Sequence, residues 1–385
     1  MLIIGKFLYI VKNFILIQGD DIMEKDFDFL KVGMNNDIID EMPKEIAIEY
    51  KKKLNKFLST ARKEAKLEKC FYCKEEKSSF CNSHSIPAFC LKNIATDGNL
   101  YYSNKLNNIP FIDYEKGVNK SGTFQLICRE CDGKIFQEYE NPDNYNKEPT
   151  PKMLAQIAMK NNLKKISKRL NEYYLYDIVA KEAPHMGGLR DAMQEVEKMD
   201  LKEDIQDFEK AKRLSKKNWE GEYYLFYYEK LDYVVPIAFQ SSIALVTDLE
   251  GNIINDIYCP KEEHRMKDLH ICIFPLKDSS VIMMFIDSKH KRYRKFYKQF
   301  NKLLHEDKLA LVNYIIFLYS EDIFFSKEIS DEVLENSNLI NVAQQTSMFM
   351  TIDQSINAIE KAKSIYDLGK RDDIPNLLSK DYKLI

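Results

Sequence analysis

Apolar residues change their spacing several times along this chain. Residues 44–68 contain neither Gly nor Pro and carry Ile46, Ile48, Leu54, Phe57, Leu58 and Ala61 at intervals that suit one helical face, so a long basic helix is expected there. From Pro151 to about Arg213 the three-and-four spacing returns, with Leu154, Ile157, Ala158, Leu163, Ile166 and Leu170 as its first stripe. Pro184 to Gly188 marks a break, after which the helix turns acidic. Beyond Trp219 the texture becomes aromatic and β-branched. Residues 223–228, 233–239, 243–246, 269–274 and 281–286 read as strands, with turns at 248–252 and 277–280, and the last two strands read as one hairpin. Helices are expected again at 293–304 and 309–319, with a moderately helical tail to about Leu368. The second half therefore reads as an α+β domain, sheet in the middle and helices after it.

Composition narrows the classes. The 385 residues suggest two or three domains. Hydrophobic residues make up 45% and charged residues 30%, which excludes wholesale disorder, and the 12 Gly and 11 Pro are too few for collagen-like or linker-rich architectures. A net charge of −3 excludes a histone-like polycation, so any nucleic-acid surface must be a local patch. Three such patches stand out. Between Lys51 and Lys77 there are ten basic residues against four acidic, from Lys152 to Arg169 six against none, and from Lys289 to Lys302 seven against none. The first two flank the cysteine-rich region and are where phosphate contacts are expected. The third interleaves Tyr293, Phe296, Tyr297 and Phe300 with cations, which suits either base stacking or an ordinary amphipathic helix with its aromatics turned inward.

At the start, residues 1–17 are apolar but broken by Lys6 and Lys12, too short for a membrane span and without a small-residue cleavage site. Gln18-Gly19-Asp20 before Met23 can be encoded by a stretch resembling a ribosome-binding site, so residues 1–22 are expected to be a translated leader or a disordered extension. No membrane element is expected. The expected units are 23–68 (N-terminal helical segment), 69–145 (cysteine module), 150–215 (helical connector) and 219–385 (α+β domain with C-terminal helices).

Eight cysteines stand at 70, 73, 81, 90, 128, 131, 259 and 272. A long, Lys-rich chain with two Cys-x-x-Cys pairs reads as metal-binding and cytoplasmic rather than as a secreted disulfide framework. Cys70, Cys73, Cys128 and Cys131 can complete one tetrahedral structural zinc site, two thiolates from each tight turn. Cys81 and Cys90 read as small buried residues. Cys259, Cys272 and His185, His264, His270, His290 and His305 show no ligand spacing.

Between the pairs lies Cys81-Asn-Ser-His84-Ser-Ile-Pro87, and Cys131 is followed by Asp132-Gly-Lys-Ile-Phe136-Gln-Glu138-Tyr-Glu140. This arrangement resembles the HNH, or ββα-metal, endonucleases with an embedded treble-clef zinc site, over residues 69–140 only. The resemblance implies a metal-dependent phosphodiesterase acting on nucleic acid, DNA ahead of RNA, in settings such as mobile elements or anti-phage defence. It implies His84 as the general base that activates water, and Asp132 as a ligand for a catalytic Mg²⁺ or Mn²⁺. Ser83 stands where the family usually has a metal-binding Asp, Glu or His; Asn82, Asp132, Glu138 or Glu140 are the candidates to compensate. The base-orienting Asn could be Asn99, Asn104, Asn107 or none. The rival reading keeps the zinc as a clamp in a non-catalytic nucleic-acid-binding or protein-interaction module. His84 would then be a fifth zinc-ligand candidate or a structural histidine, and Asp132 a carboxylate favoured at a helix N-terminus. The α+β half carries no phosphate loop or nucleophile elbow, and is expected to select substrate, bind a partner protein or form a homo-oligomer.

Overall fold

Residues 269–275 and 281–286 are apolar at almost every position, a pattern that a sheet covered on one face would not produce. The computed structural model, which describes residues 44–108, 112–182, 187–257, 259, 265–348 and 358–384, shows both faces covered. The expectations for residues 1–22 and 23–43, Pro184, His185 and His264 lie outside the described residues.

In chain order the first half contains α1 (Lys44–Glu64), β1 (Ser83–His84), α2 (Ala88–Ile94), β2 (Asn99–Tyr102), α3 (Asn104–Asn107), β3 (Glu115–Gly117), β4 (Thr123–Phe124), α4 (Arg129–Ile135), α5 (Pro151–Glu182) and α6 (Gly187–Leu214). The second half contains β5 (Tyr223–Leu231), β6 (Ile237–Ile243), β7 (Leu269–Pro275), β8 (Ser280–Asp287), α7 (Arg294–Phe300), α8 (His305–Tyr319), β9 (Phe324–Phe325), α9 (Asp331–Leu334), α10 (Ser337–Met348) and α11 (Ala358–Ile365). The protein is thus mixed helix and antiparallel sheet. Among the described residues no helix is long and apolar enough to cross a membrane.

Among the described residues seven strands form one sheet in the order β3-β2-β9-β6-β7-β8-β5, while β1 and β4 pair antiparallel as a separate two-stranded sheet. Period-two alternation divides the central strands between two cores. Along β7, Leu269, Ile271 and Ile273 pack towards α7, α8 and α10, whereas Cys272 and Phe274 pack towards α5 and the cysteine module. Along β8, Ile282, Met284 and Ile286 face the helices, and Val281, Met283 and Phe285 face the module. The expected β7–β8 hairpin is present, paired from Leu269↔Ile286 to Pro275↔Ser280.

Several elements differ from expectation. Residues 243–246 are not a strand: β6 ends at Ile243, and the next amides are satisfied by tyrosines, Leu245 N–H by Tyr293 Oη at 3.1 Å and Val246 N–H by Tyr319 Oη at 3.0 Å. The strand expected from residue 233 starts at Ile237, because Val235 N–H is taken by Ser280 Oγ at 2.9 Å. Strand β9 has no period to announce it, yet it joins the halves of the chain. Phe325 and Phe324 pair with Tyr101 and Tyr102 on one side and with Ile237 and Ala238 on the other. The module's β2 and β3 therefore extend the sheet of the second half.

Candidate functional site

The first cysteine pair sits on a reversed turn. Lys69 and Glu76 bridge its arms, Lys74 takes the left-handed conformation (φ 64°), and its N–H donates to Cys70 O at 2.8 Å. The second pair opens a helix: Cys128 is the N-terminal flanking residue of α4, and Cys131 lies in its first turn. The two are joined by Phe71 N–H to Leu126 O at 2.9 Å and by Cys128 N–H to Cys70 Sγ at 3.3 Å. The four Sγ atoms then lie within 4.8 Å of one another. A tetrahedral zinc with Zn–S near 2.3 Å separates its sulfurs by about 3.8 Å, so this donor set fits the ion. Burial works to raise the Cys70 thiol, but the backbone N–H groups of Cys73, Cys128 and Tyr72 overcome it and bring it down to about 7. Cys131 is pushed up by burial and by the neighbouring sulfurs, the repulsion expected of crowded thiolates that a divalent cation would relieve. These four cysteines could hold zinc. Among the described residues they are the one group of three or more ligand-type side chains close enough to share an ion.

Asp132, on α4, is engaged from within. Its Oδ1 accepts from Ser83 Oγ at 2.6 Å and from Lys160 Nζ at 3.1 Å. The same ammonium, on α5, donates to Ser83 Oγ at 2.9 Å, faces Glu140 Oε1 at 3.1 Å and lies 3.7 Å from the Phe136 ring centroid. Lys160 is 0% exposed. Burial alone would raise the Asp132 carboxyl, but the Lys160 charge and hydrogen bonds from Ser83, Lys160 and Cys81 hold it below its usual range. Burial, then the Asp132 charge, pushes the Cys81 thiol up to about 12, so it stays a neutral donor. The cation beside Asp132 in this structure is the ammonium of Lys160. The other compensating carboxylate, Glu138, is paired with Lys152, and Asn82 Oδ1 accepts from Gln125 Nε2 at 2.7 Å. Both Glu138 and Glu140 lie beyond α4, which ends at Ile135.

His84 alternates with Ser83 along β1, so the two side chains leave opposite faces of the strand. Its ring is half-buried, and Nε2 lies 3.2 Å from Val118 O. A carbonyl can only accept, so Nε2 is the donor in this contact, and in the neutral ring the lone pair belongs to Nδ1. The ring is oriented by this main-chain carbonyl and not by an asparagine; Asn99 and Asn104 give their Nδ2 groups to Asp97 O at 3.2 Å and Ile112 O at 2.7 Å.

A cleft of about 420 Å³ runs between the end of α1, the β1–β4 pair and α5. Its lining carries Arg62, Lys66, Lys116, Lys120, Lys164 and Lys168 against Glu321 and Asp322. The two basic segments flanking the cysteine module, far apart in sequence, thus meet at one place. Thr123, opposite His84 in that pair, also lines it. Gly122 shapes the wall: at φ +60° a Cβ there would lie 2.8 Å from both Phe324 Cζ and Ser85 Oγ, so only glycine fits. Lys164 is paired with Asp322 at 2.8 Å, which holds that carboxyl down at about 2 against the effect of burial. The third basic segment behaves differently. Tyr293, Phe296 and Phe300 are fully buried and unable to stack on a base, and Lys295 pairs with Glu250 at 2.6 Å.

Sequence reasoning missed Lys160 as an individual residue. The signal was there: it stands three residues after Ile157 and three before Leu163, a charge on the apolar stripe of the helix. Compared with known proteins, the chain matches no family model, no curated protein and no solved structure.

Proposed function

We propose that this is a zinc-clamped, HNH-like protein that binds nucleic acid through the cleft beside the β1–β4 pair. The observation that carries the reading is the convergence of six cations from the end of α1 and the residues just after it, the module and α5 on one concavity holding two carboxylates. Lys and Arg that neutralise phosphates release condensed counterions, so affinity should fall with salt. Four net charges in the cleft give an expected slope of log K against log salt of about −3 to −4 for duplex DNA. The zinc, on this reading, fixes α4 against the first cysteine turn and so sets the place of β1 and β4 at the cleft. Fluorescence anisotropy with short DNA and RNA across a salt series is the test, with Lys66→Glu/Lys168→Glu as the variant. Absence of binding at low salt, or binding indifferent to both salt and variant, would sink the reading.

A second reading is favoured by a different observation, the contact of His84 Nε2 with Val118 O, which in the neutral ring leaves Nδ1 as the acceptor next to a cleft-lining strand. It makes the protein a phosphodiesterase with His84 as base. Cleavage of plasmid, single-stranded DNA or RNA that needs Mg²⁺ or Mn²⁺ and disappears in His84→Ala would establish it. Equal cleavage by parent and variant would remove it.

A further inference from the structure

The cations in the cleft divide by their partners. Lys164 and Lys168 have carboxylates, Asp322 at 2.8 Å and Glu172 at 3.9 Å. Among the described residues no carboxylate forms a salt bridge with Arg62, Lys66, Lys116 or Lys120, and of these four Lys116 is the half-buried one, the others being exposed. Lys116, half-buried on β3, has its Nζ 4.7 Å from the centroid of the Tyr102 ring, so one side of the ammonium is covered by an aromatic face. Its pKa is lowered, first by burial and then by the charge of Arg62, with Asp113 opposing weakly. Arg62 and Lys116 line the same cleft, and an anion held there would be attracted to both. Lys66 and Lys120, both exposed, line the same cleft.

Size and shape define the anion. A volume of about 420 Å³ falls in the range of small-molecule sites, roughly 300 to 1,000 Å³. A duplex presents a broad convex surface with phosphates spread along it, whereas a single strand can bend and deliver one phosphate into a concavity. We propose that Arg62 and Lys116 form a seat for one phosphate group of a nucleotide-sized ligand, supplied by a single-stranded nucleic-acid end or by a free nucleoside phosphate. This rests on the cleft being the nucleic-acid surface and narrows which form it takes. Arg62 supplies a forked, always-charged donor set suited to two phosphate oxygens, and Lys116 supplies a point charge against the aromatic floor.

The test uses the full chain loaded with zinc. Anisotropy is read on a 5′-phosphorylated single-stranded oligonucleotide and on the same sequence as a duplex, with ATP and inorganic pyrophosphate as competitors. Arg62→Gln and Lys116→Gln keep length and polarity but remove charge; Lys277→Gln, exposed in the turn between β7 and β8, is the control. The expected result is that each seat variant weakens the single strand at least tenfold, while the control stays within twofold. Lys116→Gln should also leave the melting temperature unchanged or raised, because it removes the repulsion with Arg62; a merely structural residue would lower it. Full competition by ATP identifies a free nucleoside phosphate as the ligand, and oligonucleotide binding that ATP does not displace identifies a strand end. Duplex and single strand bound alike, with both seat variants inert, would overturn the seat while leaving nucleic-acid binding standing. No binding of any probe would overturn both.

Discussion

The two faces of the central sheet are built from the same strands, one residue out of step, yet they are chemically unlike. The face towards α7, α8 and α10 is largely apolar, with Phe239, Ile271, Ile282 and Met284 against Phe296, Phe300 and Leu311 and Ser241 as an interruption on β6. The face towards α5 and the cysteine module also holds polar groups in its interior. Gln240 Nε2 donates to Asn161 Oδ1 at 3.0 Å, Asn161 Nδ2 meets His270 Nδ1 at 3.1 Å, and His270 stacks on Phe285 at 4.6 Å between centroids. Beside them Lys165 pairs with Asp268 and Arg169 with Glu197 and Asp200. The difference teaches where each face draws its stability. Apolar burial is non-directional and degrades gradually, whereas buried polar and charged groups depend on particular partners and fail when one is removed. Both candidate functional regions, the cysteine cluster and the cleft, lie on the second face.

Removing a metal held by the four cysteines would have the largest effect and strike one face first. A structural zinc contributes on the order of 10 kcal/mol to the fold it closes. Chelation, or Cys128→Ala, is expected to make residues 69–140 protease-sensitive while β7 and β8 keep their amide protection longest. Hydrogen exchange resolves the two, and uniform loss across both faces would erase the distinction. Next in size is Lys160→Ala, which takes the shared cation from the half-buried Asp132 and Glu140 and should cost about 2 to 3 kcal/mol in denaturant unfolding. A cost below about 1 kcal/mol would mean that these carboxylates find water easily.

The pH response sharpens the comparison further. Burial lowers His270 to about 4. Its folded pKa lies below the ordinary value of 6.5, so it contributes stability that is complete above 6.5 and lost as pH falls from 6.5 towards 4. Asp204, raised to about 6 by burial, acts the other way between its ordinary value and 6, so the informative quantity is the difference between parent and His270→Gln. That difference should shrink by about 2 to 3 kcal/mol from pH 7 to pH 4, measured by urea unfolding. A constant difference would mean that His270 is not neutral inside. The smallest effect belongs to the helix face. Ile271→Val should cost about 1 kcal/mol with no dependence on pH or metal.

Much of this was legible along the chain because it is local. The apolar stripe of α5, the β7–β8 hairpin with its turn, the helices of the second half and the two Cys-x-x-Cys pairs each depend on residues within a turn or two, and short-range sterics and periodicity decide them. The four cysteines could be named together since each pair presents two sulfurs by itself. What the tertiary structure alone decided is who meets whom. β9 is two phenylalanines long, too short to carry a period, yet it joins the module to the sheet. Lys160 reads as one cation of a basic helix until packing removes its water and sets it between Asp132 and Glu140. Arg62, Lys116 and Lys168 belong to segments that no local rule relates, and they share a cleft because α1 lies on α5 and β3 extends the sheet. Sequence by itself determines groups and their near neighbours; the burial and charge proximity that turn them into a site are long-range sums over the folded chain.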